Sequence, residues 1–480
     1  MSVPIISGFH PDPSICEWEG VYYIANSSFE YNPQIPIHKS TDLIHWELVG
    51  NARRTQSDHE TKPSTGIYAP TLRHHAERFW LITTDMNAKS DGQMLITAED
   101  ASGPWSDPIY VPVTGIDPDI AWDGEKCYVS WAQWNTDLGA SGIWQVRIDD
   151  QTGALLEAPR HIWSGTGLAY PEGPHLYQVG DWWYLMIAEG GTERGHGVSI
   201  ARSYDIGGPF EPAPNNPIFS HRSLDLTVQN VGHADLIRLP DGDWAAVYLG
   251  VRLAGQTPYY HLNGRETFLA GIRWIDGWPR FVEDFYDVGE SDHSFVDTFE
   301  RPELAPRWVT VLGHGSANDR EAPGELLLGA DEHVGDSPLL LTRARDTHWA
   351  ARARVVASEA ECRLVVCIDD QHWYALNLAD SRAWAQLCIG GHSVDLESST
   401  VDAVELVLEV RSMAPTPDFP HATDVIQFSV GIGAERVVLG AADGRYLSTE
   451  VAGGFTGRMI GLEAVKGQVK VKDFEYATEP

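Results

Sequence analysis

Residues 14–24 read SICEWEGVYYI: a short strand, a polar turn and an aromatic strand. The same layout returns at 71–81 (TLRHHAERFWL), 119–129 (DIAWDGEKCYV) and 175–185 (HLYQVGDWWYL). A fifth copy with two extra residues spans 235–247 (DLIRLPDGDWAAV). The starts lie 57, 48, 56 and 60 residues apart, and each copy runs on into another strand and a polar edge, as in IPIHKSTDLIHWELV (35–49) and VSIARSYDIGGPFEPA (198–213). Four strands of ordinary length fit in such a unit, with turns at the DG, GD and GP pairs. Five four-stranded sheets around an axis make a β-propeller, which leaves only short, protected edges. The predicted fold class is therefore all-β, with a five-bladed β-propeller over 1–288. A pair of β-sandwiches is the competing architecture.

After DVGESDHSF (287–295) the pattern changes. Alternating stretches follow, among them LLLTRA (339–344), HWAARARVV (348–356), CRLVVCID (362–369), VELVLEVRS (404–412) and VKVKDFEYA (469–477). Period-two alternation predicts an antiparallel, jelly-roll-like β-sandwich over 293–480.

The chain has 480 residues, which suits two domains. Acidic residues number 68 against 34 basic ones, a net charge of −34. Such a surface repels nucleic acid and anionic membranes, so neither is an expected partner. The 18 tryptophans suit large cores, and they also suit sugar sites, where a flat apolar ring packs on a pyranose. The five cysteines form no CxxC pair, so neither a disulfide framework nor a zinc site is expected. The start MSVPIISGFHPDPS lacks the basic and apolar stretches of a secretory signal. A cytoplasmic protein is the resulting expectation.

Just before the first strand of each unit stand HPDP (10–13), YAP (68–70), GIDP (115–118), YPEGP (170–174) and VGHA (231–234). In a propeller these segments meet at one end of the central channel. Asp12, Asp117 and Glu172 thus converge, although each alone reads equally well as a turn or loop residue. Gathering like charges carries a cost that a purely structural site would avoid. Glycoside hydrolysis uses such a cluster. One carboxyl group donates a proton to the leaving oxygen, a carboxylate opposite activates water, and a third raises the pKa of the acid. A Ca²⁺ or Mg²⁺ site ranks lower, since no DxDxDG spacing is present.

The segments GFHPDPSICEWEGVYYIANSSFEY (8–31), GIYAPTLRHHAERFWLITTD (66–85), GIDPDIAWDG, YPEGPHLYQVGDWWYLMIAEGGT, VGHADL and NGRETFLAGIRWIDGWP (263–279) resemble glycoside hydrolase family 43, in the family's order. The resemblance implies an inverting, exo-acting hydrolase of β-D-xylosides or α-L-arabinofuranosides that takes small oligosaccharides. It implies Asp12 as general base, Asp117 as the residue that orients the acid and tunes its pKa, and Glu172 as general acid. It further implies substrate contacts from Arg265, Phe29, Tyr68, Trp134, Gln229 and His233. Arg265 also reads as an inter-blade ion pair, the three aromatic residues as core, and His233 as a buried, hydrogen-bonded histidine. No cofactor is required by this chemistry. Some relatives hold a central ion near the histidine equivalent to His233, which leaves a structural or activating Ca²⁺ as an open expectation. A homo-oligomer is a further expectation, and so is a second-domain loop that narrows the pocket. Tyr68 in GIYAP stands where many β-xylosidases of the family have tryptophan, which leaves arabinofuranosides beside xylosides. A sugar-binding propeller without catalysis is the alternative from another class. Residues 54–64 (RTQSDHETKPS) match no family motif and are expected at the pocket entrance.

Overall fold

The computed structural model describes residues 3–55, 61–134, 140–312, 323–329, 339–356, 360–433 and 435–479. Residues 56–60 of the segment expected at the pocket entrance lie outside this set. None of the helices described is long and apolar enough to cross a membrane.

The five repeats form five sheets. Their inner strands are Ser14–Trp18, Thr71–His75, Ile116–Asp123, Glu172–Val179 and Val228–Arg238, and each pairs with the strand that follows it. Apolar side chains from neighbouring blades interleave, as where Trp80, Ile82 and Leu95 pack on Ile120, Val129 and Val146. Burial of this kind stabilises at roughly 25 cal/mol per Å² of apolar surface.

The blades also meet in one buried polar hub, assembled from the residues that open the repeats. Arg73 of the second blade donates to Asp235 of the fifth at 2.7 Å and to Asp119 of the third at 3.0 Å. Ser14 of the first blade donates to Asp235 at 2.8 Å, and Tyr177 of the fourth donates to it at 2.6 Å. His175 lies 3.1 Å from Asp119. Both carboxylates are buried, so each must be paired to be tolerated. The guanidinium between them provides that pairing and ties all five blades to one point.

The second domain is a sandwich of two antiparallel sheets. One runs from Phe295–Asp297 through Gln468–Thr478 and Trp349–Val356 to Glu435–Asp443. The other runs from Leu339–Arg343 through Met459–Lys466 and Glu361–Cys367 to His392–Thr400. Alternating residues such as Leu364, Val366, Leu408 and Val410 fill the space between them.

The domains share a core. Phe9, Phe29 and Tyr31 of the propeller pack with Val309, Leu341, Val365 and Met459. Tyr31–Asn32 pairs with Thr310–Val311, and Arg343 donates to the Phe9 carbonyl at 2.7 Å. The second domain is thereby seated directly behind the segment that carries Asp12 and Phe29.

Candidate active site

Three strand entrances are bulged, and two of them carry Asp117 and Glu172. Register slips between Ile116 and Asp119, between Glu172 and His175, and between Gly232 and Asp235. A bulge re-aims side chains and ends regular pairing. Two residues ahead of four of the five repeat starts the backbone turns left-handed, at Asp12 (φ 52°), Asp117 (54°), Gly173 (54°) and His233 (44°). Non-glycine residues rarely adopt this conformation, and such strain gathers at functional sites. The three acids therefore converge without sharing one repeat position. Glu172 stands one residue earlier and leaves the left-handed position to Gly173. A Cβ at Gly173 would come within 2.8 Å of the His233 ring, so glycine is needed there.

Asp12 is buried and well partnered. Its Oδ1 accepts from Arg265 Nη1 at 2.9 Å, its Oδ2 accepts from Ser27 Oγ at 2.5 Å, and His233 Nδ1 lies 3.6 Å away. Burial opposes its ionisation, yet Arg265, His233 and the Ser27 hydroxyl outweigh burial and hold its pKa below the usual carboxylate range. Asp117 goes the other way. Burial and the negative charge of Asp12 raise its pKa, against the opposing Gly173 N–H, which donates to its Oδ2 at 3.3 Å. Glu172 is raised well above the carboxylate range by burial, then by Asp117 and Asp12. It lies deep among protein atoms yet is half-buried by surface, with part of its carboxyl side chain still accessible. Asp12 is thus held ionised, while Asp117 and Glu172 are both pushed toward the protonated form.

The remaining residues expected at the site divide by what their polar atoms touch. Arg265 is both ion pair and wall. It bonds Asp12, donates to Thr192 Oγ1 at 3.1 Å and lies 5.7 Å from the Phe29 ring centre. Phe29 is buried and packs on Tyr68 with ring centres 5.1 Å apart. Tyr68 is half-buried and donates to the Ser64 carbonyl. Trp134 donates to the Pro171 carbonyl at 3.3 Å and sets its ring edge-on to Tyr170, beside the Glu172 segment. Gln229 uses its amide on the Leu224 and Leu226 carbonyls, where it braces its own loop.

His233 has His175 and His196 as neighbours. His196 Nδ1 lies 2.9 Å from the Asn230 carbonyl and His175 Nδ1 lies 3.1 Å from Asp119, while the Nε2 atoms of both rings are buried with no hydrogen-bond partner among the described residues. Among the described residues no group of three or more His, Cys, Asp or Glu side chains is arranged to hold a metal ion.

Three groups at the site carry no expectation from the sequence, Ser27, Thr192 and Phe455, while Ser64 closes the segment expected at the pocket entrance. Phe455 comes from the second domain. Its carbonyl accepts from Arg265 Nη2 at 3.3 Å, and its ring stacks near Phe29 at 5.8 Å and meets Tyr68 at 6.1 Å. The glycine-rich run GGFTGR (453–458) was the available signal, since such a run suits a loop in close approach. Glu189 is fully buried and holds the backbone N–H and hydroxyl of Thr166, both at 2.7 Å, which accords with a structural role.

Residues 1–279 match the family described as glycosyl hydrolases family 43, and residues 296–478 match the beta xylosidase C-terminal Concanavalin A-like domain. A xylosidase/arabinosidase of Butyrivibrio fibrisolvens is 42% identical, over 96% of this chain and 95% of its own. A non-reducing end alpha-L-arabinofuranosidase of Bacteroides ovatus is 35% identical, over 98% and 93%. Among solved structures, xylan beta-1,4-xylosidase from Bacillus halodurans superposes with a TM-score of 0.87 at 28% identity, over 99% of this chain and 100% of the other.

Proposed function

Since the chain belongs to glycosyl hydrolase family 43, we propose that it is an inverting β-xylosidase that releases D-xylose from the non-reducing ends of xylo-oligosaccharides. The observation that carries this reading is the opposed tuning of Asp12 and Glu172 within one buried site. In the proposed reaction Asp12 takes a proton from water as that water attacks the anomeric carbon. Glu172 gives its proton to the departing glycosidic oxygen, and the C–O bond breaks. Acid–base steps of this kind contribute about 10²–10⁴-fold each. Asp117, which accepts from the Gly173 N–H, competes with Glu172 for charge in the same buried space, which favours a proton on the acid, and it orients the acid's segment. Arg265 and the rings of Phe29 and Tyr68 bind the terminal sugar, the first through hydroxyl groups and the others through its apolar face. These steps call for carboxylates and water, with no cofactor.

A second reading is favoured by Tyr68 in place of the tryptophan of many β-xylosidases. An α-L-arabinofuranoside and a β-D-xyloside present similar hydroxyl geometry, and relatives of both kinds are named above. Parallel assays on 4-nitrophenyl β-D-xylopyranoside and 4-nitrophenyl α-L-arabinofuranoside, with Asp12→Ala as control, test both. A higher kcat/KM on the xyloside, abolished in the control, is the expected result. A preference for the arabinoside would replace the substrate while leaving the mechanism. Activity on neither by folded protein would sink the proposal.

A further inference from the structure

Ser64 lies outside the catalytic set, yet every polar group it has is engaged at the mouth of the pocket. Its N–H donates to the buried Glu30 carboxyl group at 3.0 Å. Its carbonyl accepts from the Tyr68 hydroxyl at 3.1 Å. Its hydroxyl oxygen accepts from the backbone N–H of Phe455 at 2.9 Å, across the domain boundary. Its own backbone is left-handed (φ 59°), a conformation that serine holds only when its surroundings over-determine it.

The loop it meets has little shape of its own. Residues 453–457 include Gly453 (φ 81°), Gly454 (φ 83°) and Gly457. Glycine leaves a loop conformationally free, so its position must be imposed from outside. Both ends are fixed. The preceding helix Thr449–Ala452 is held by Glu450, which accepts from the His261 N–H at 3.1 Å, and Arg458 N–H donates to the Leu262 carbonyl at 3.2 Å. At the apex, Phe455 reaches the propeller through two hydrogen bonds, one to Ser64 and one from Arg265. Packing at the apex is close: a Cβ on Gly454 would come within 2.4 Å of Ser64 Oγ.

We infer that Ser64 is a positioning residue for the sugar pocket, pinning the second-domain loop at Phe455 so that the Phe455 ring and carbonyl close the aromatic wall and steady Arg265. The inference rests on the proposed glycosidase reading, with Arg265 and the rings as sugar contacts. Its effect falls on ground state and transition state alike. Loss of the hydroxyl therefore raises KM while leaving kcat nearly unchanged.

The test uses the full-length protein and Ser64→Ala, alone and combined with Phe455→Ala. Hydrogen exchange by mass spectrometry on a peptide spanning 449–459 reports the loop without any need for turnover. Ser64→Ala is expected to speed exchange of that peptide about fivefold, the scale of one ordinary hydrogen bond. On the nitrophenyl glycoside that wild type prefers, KM is expected to rise about fivefold with kcat within about twofold. The KM rise is expected to vanish in the Phe455→Ala background, where there is no ring left to position. Unchanged exchange in Ser64→Ala, or an equal KM rise in both backgrounds, overturns the inference. If wild type hydrolyses no glycoside, the proposed function fails, while the exchange measurement still decides whether Ser64 pins the loop.

Discussion

Arg265 Nη1 lies 2.9 Å from Asp12 Oδ1, and both side chains are buried. The pair joins the start of the first blade to the last, across 253 residues of sequence. The arginine is the principal group that offsets the burial of Asp12. Arg265→Met is therefore expected to raise the Asp12 pKa and to move the acidic limb of the kcat/KM–pH profile upward by about one unit or more. The direction follows from the sign: a base protonated at higher pH loses activity at higher pH. A pH–rate profile of the variant on the nitrophenyl substrate checks this, and an unmoved acidic limb would count against Asp12 as the base.

Glu172→Gln removes the proton donor and keeps the shape. The loss should depend on the leaving group. Xylobiose, with a poor leaving group, should lose about 10²–10⁴-fold in kcat. A nitrophenyl glycoside, whose phenolate leaves without help, should lose far less. Comparing the two substrates on one variant preparation measures the difference, and equal losses would argue that Glu172 is not the acid.

Glu30 is buried, and burial lifts its pKa to about 8, with Asp369 and Asp370 of the second domain adding to the rise. In the unfolded chain it titrates near the ordinary glutamate value. Stability from the neutral form is thus fully present below about pH 4 and is lost as pH rises toward 8. Glu30→Gln cannot ionise. Its Tm relative to wild type should climb by several degrees between pH 6 and pH 9, as followed by circular dichroism. A pH-independent difference would show that Glu30 is not held neutral.

Behind the Phe455 loop, Arg458 and Asp424 form a fully buried pair, with Nη1 to Oδ2 at 2.5 Å and Nη2 to Oδ1 at 3.0 Å. Arg458 also donates to the Leu447 and Gly444 carbonyls. Removing one partner strands the other charge in the interior. Arg458→Met is expected to cost about 3–5 kcal/mol in urea unfolding of the second domain. A loss below about 1 kcal/mol would mean that the charge finds water.

The propeller was legible because its blades repeat. The turn-and-aromatic layout of 14–24 occurs five times, and the segments ahead of it carry the three acids. The one-residue offset of Glu172 is already present in the repeat starts, three residues ahead of 175 against two ahead of 14 and 119; what the sequence hides is that Gly173 takes the left-handed turn in its place. In the second domain, the strands with an alternating buried face were readable. The edge strands His392–Thr400 and Glu435–Asp443 were not, because most of their side chains are exposed or only partly buried and leave no apolar period. Thr192 and Phe455 were hidden for another reason: each joins the site through Arg265, far away in the chain, and Phe455 does so from the other domain. Ser27 reaches Asp12 from only 15 residues away, but a single serine carries no signal of its partner.

The central claim is that Asp12 activates water against a sugar whose leaving oxygen is protonated by Glu172. Proton NMR of the earliest products of xylobiose hydrolysis tests it most directly, because the newly freed sugar reports the face of attack. The account predicts that α-xylose accumulates first from the non-reducing end, ahead of mutarotation. Initial release of β-xylose would mean net retention, with a covalent intermediate in place of direct attack by water, and would contradict it.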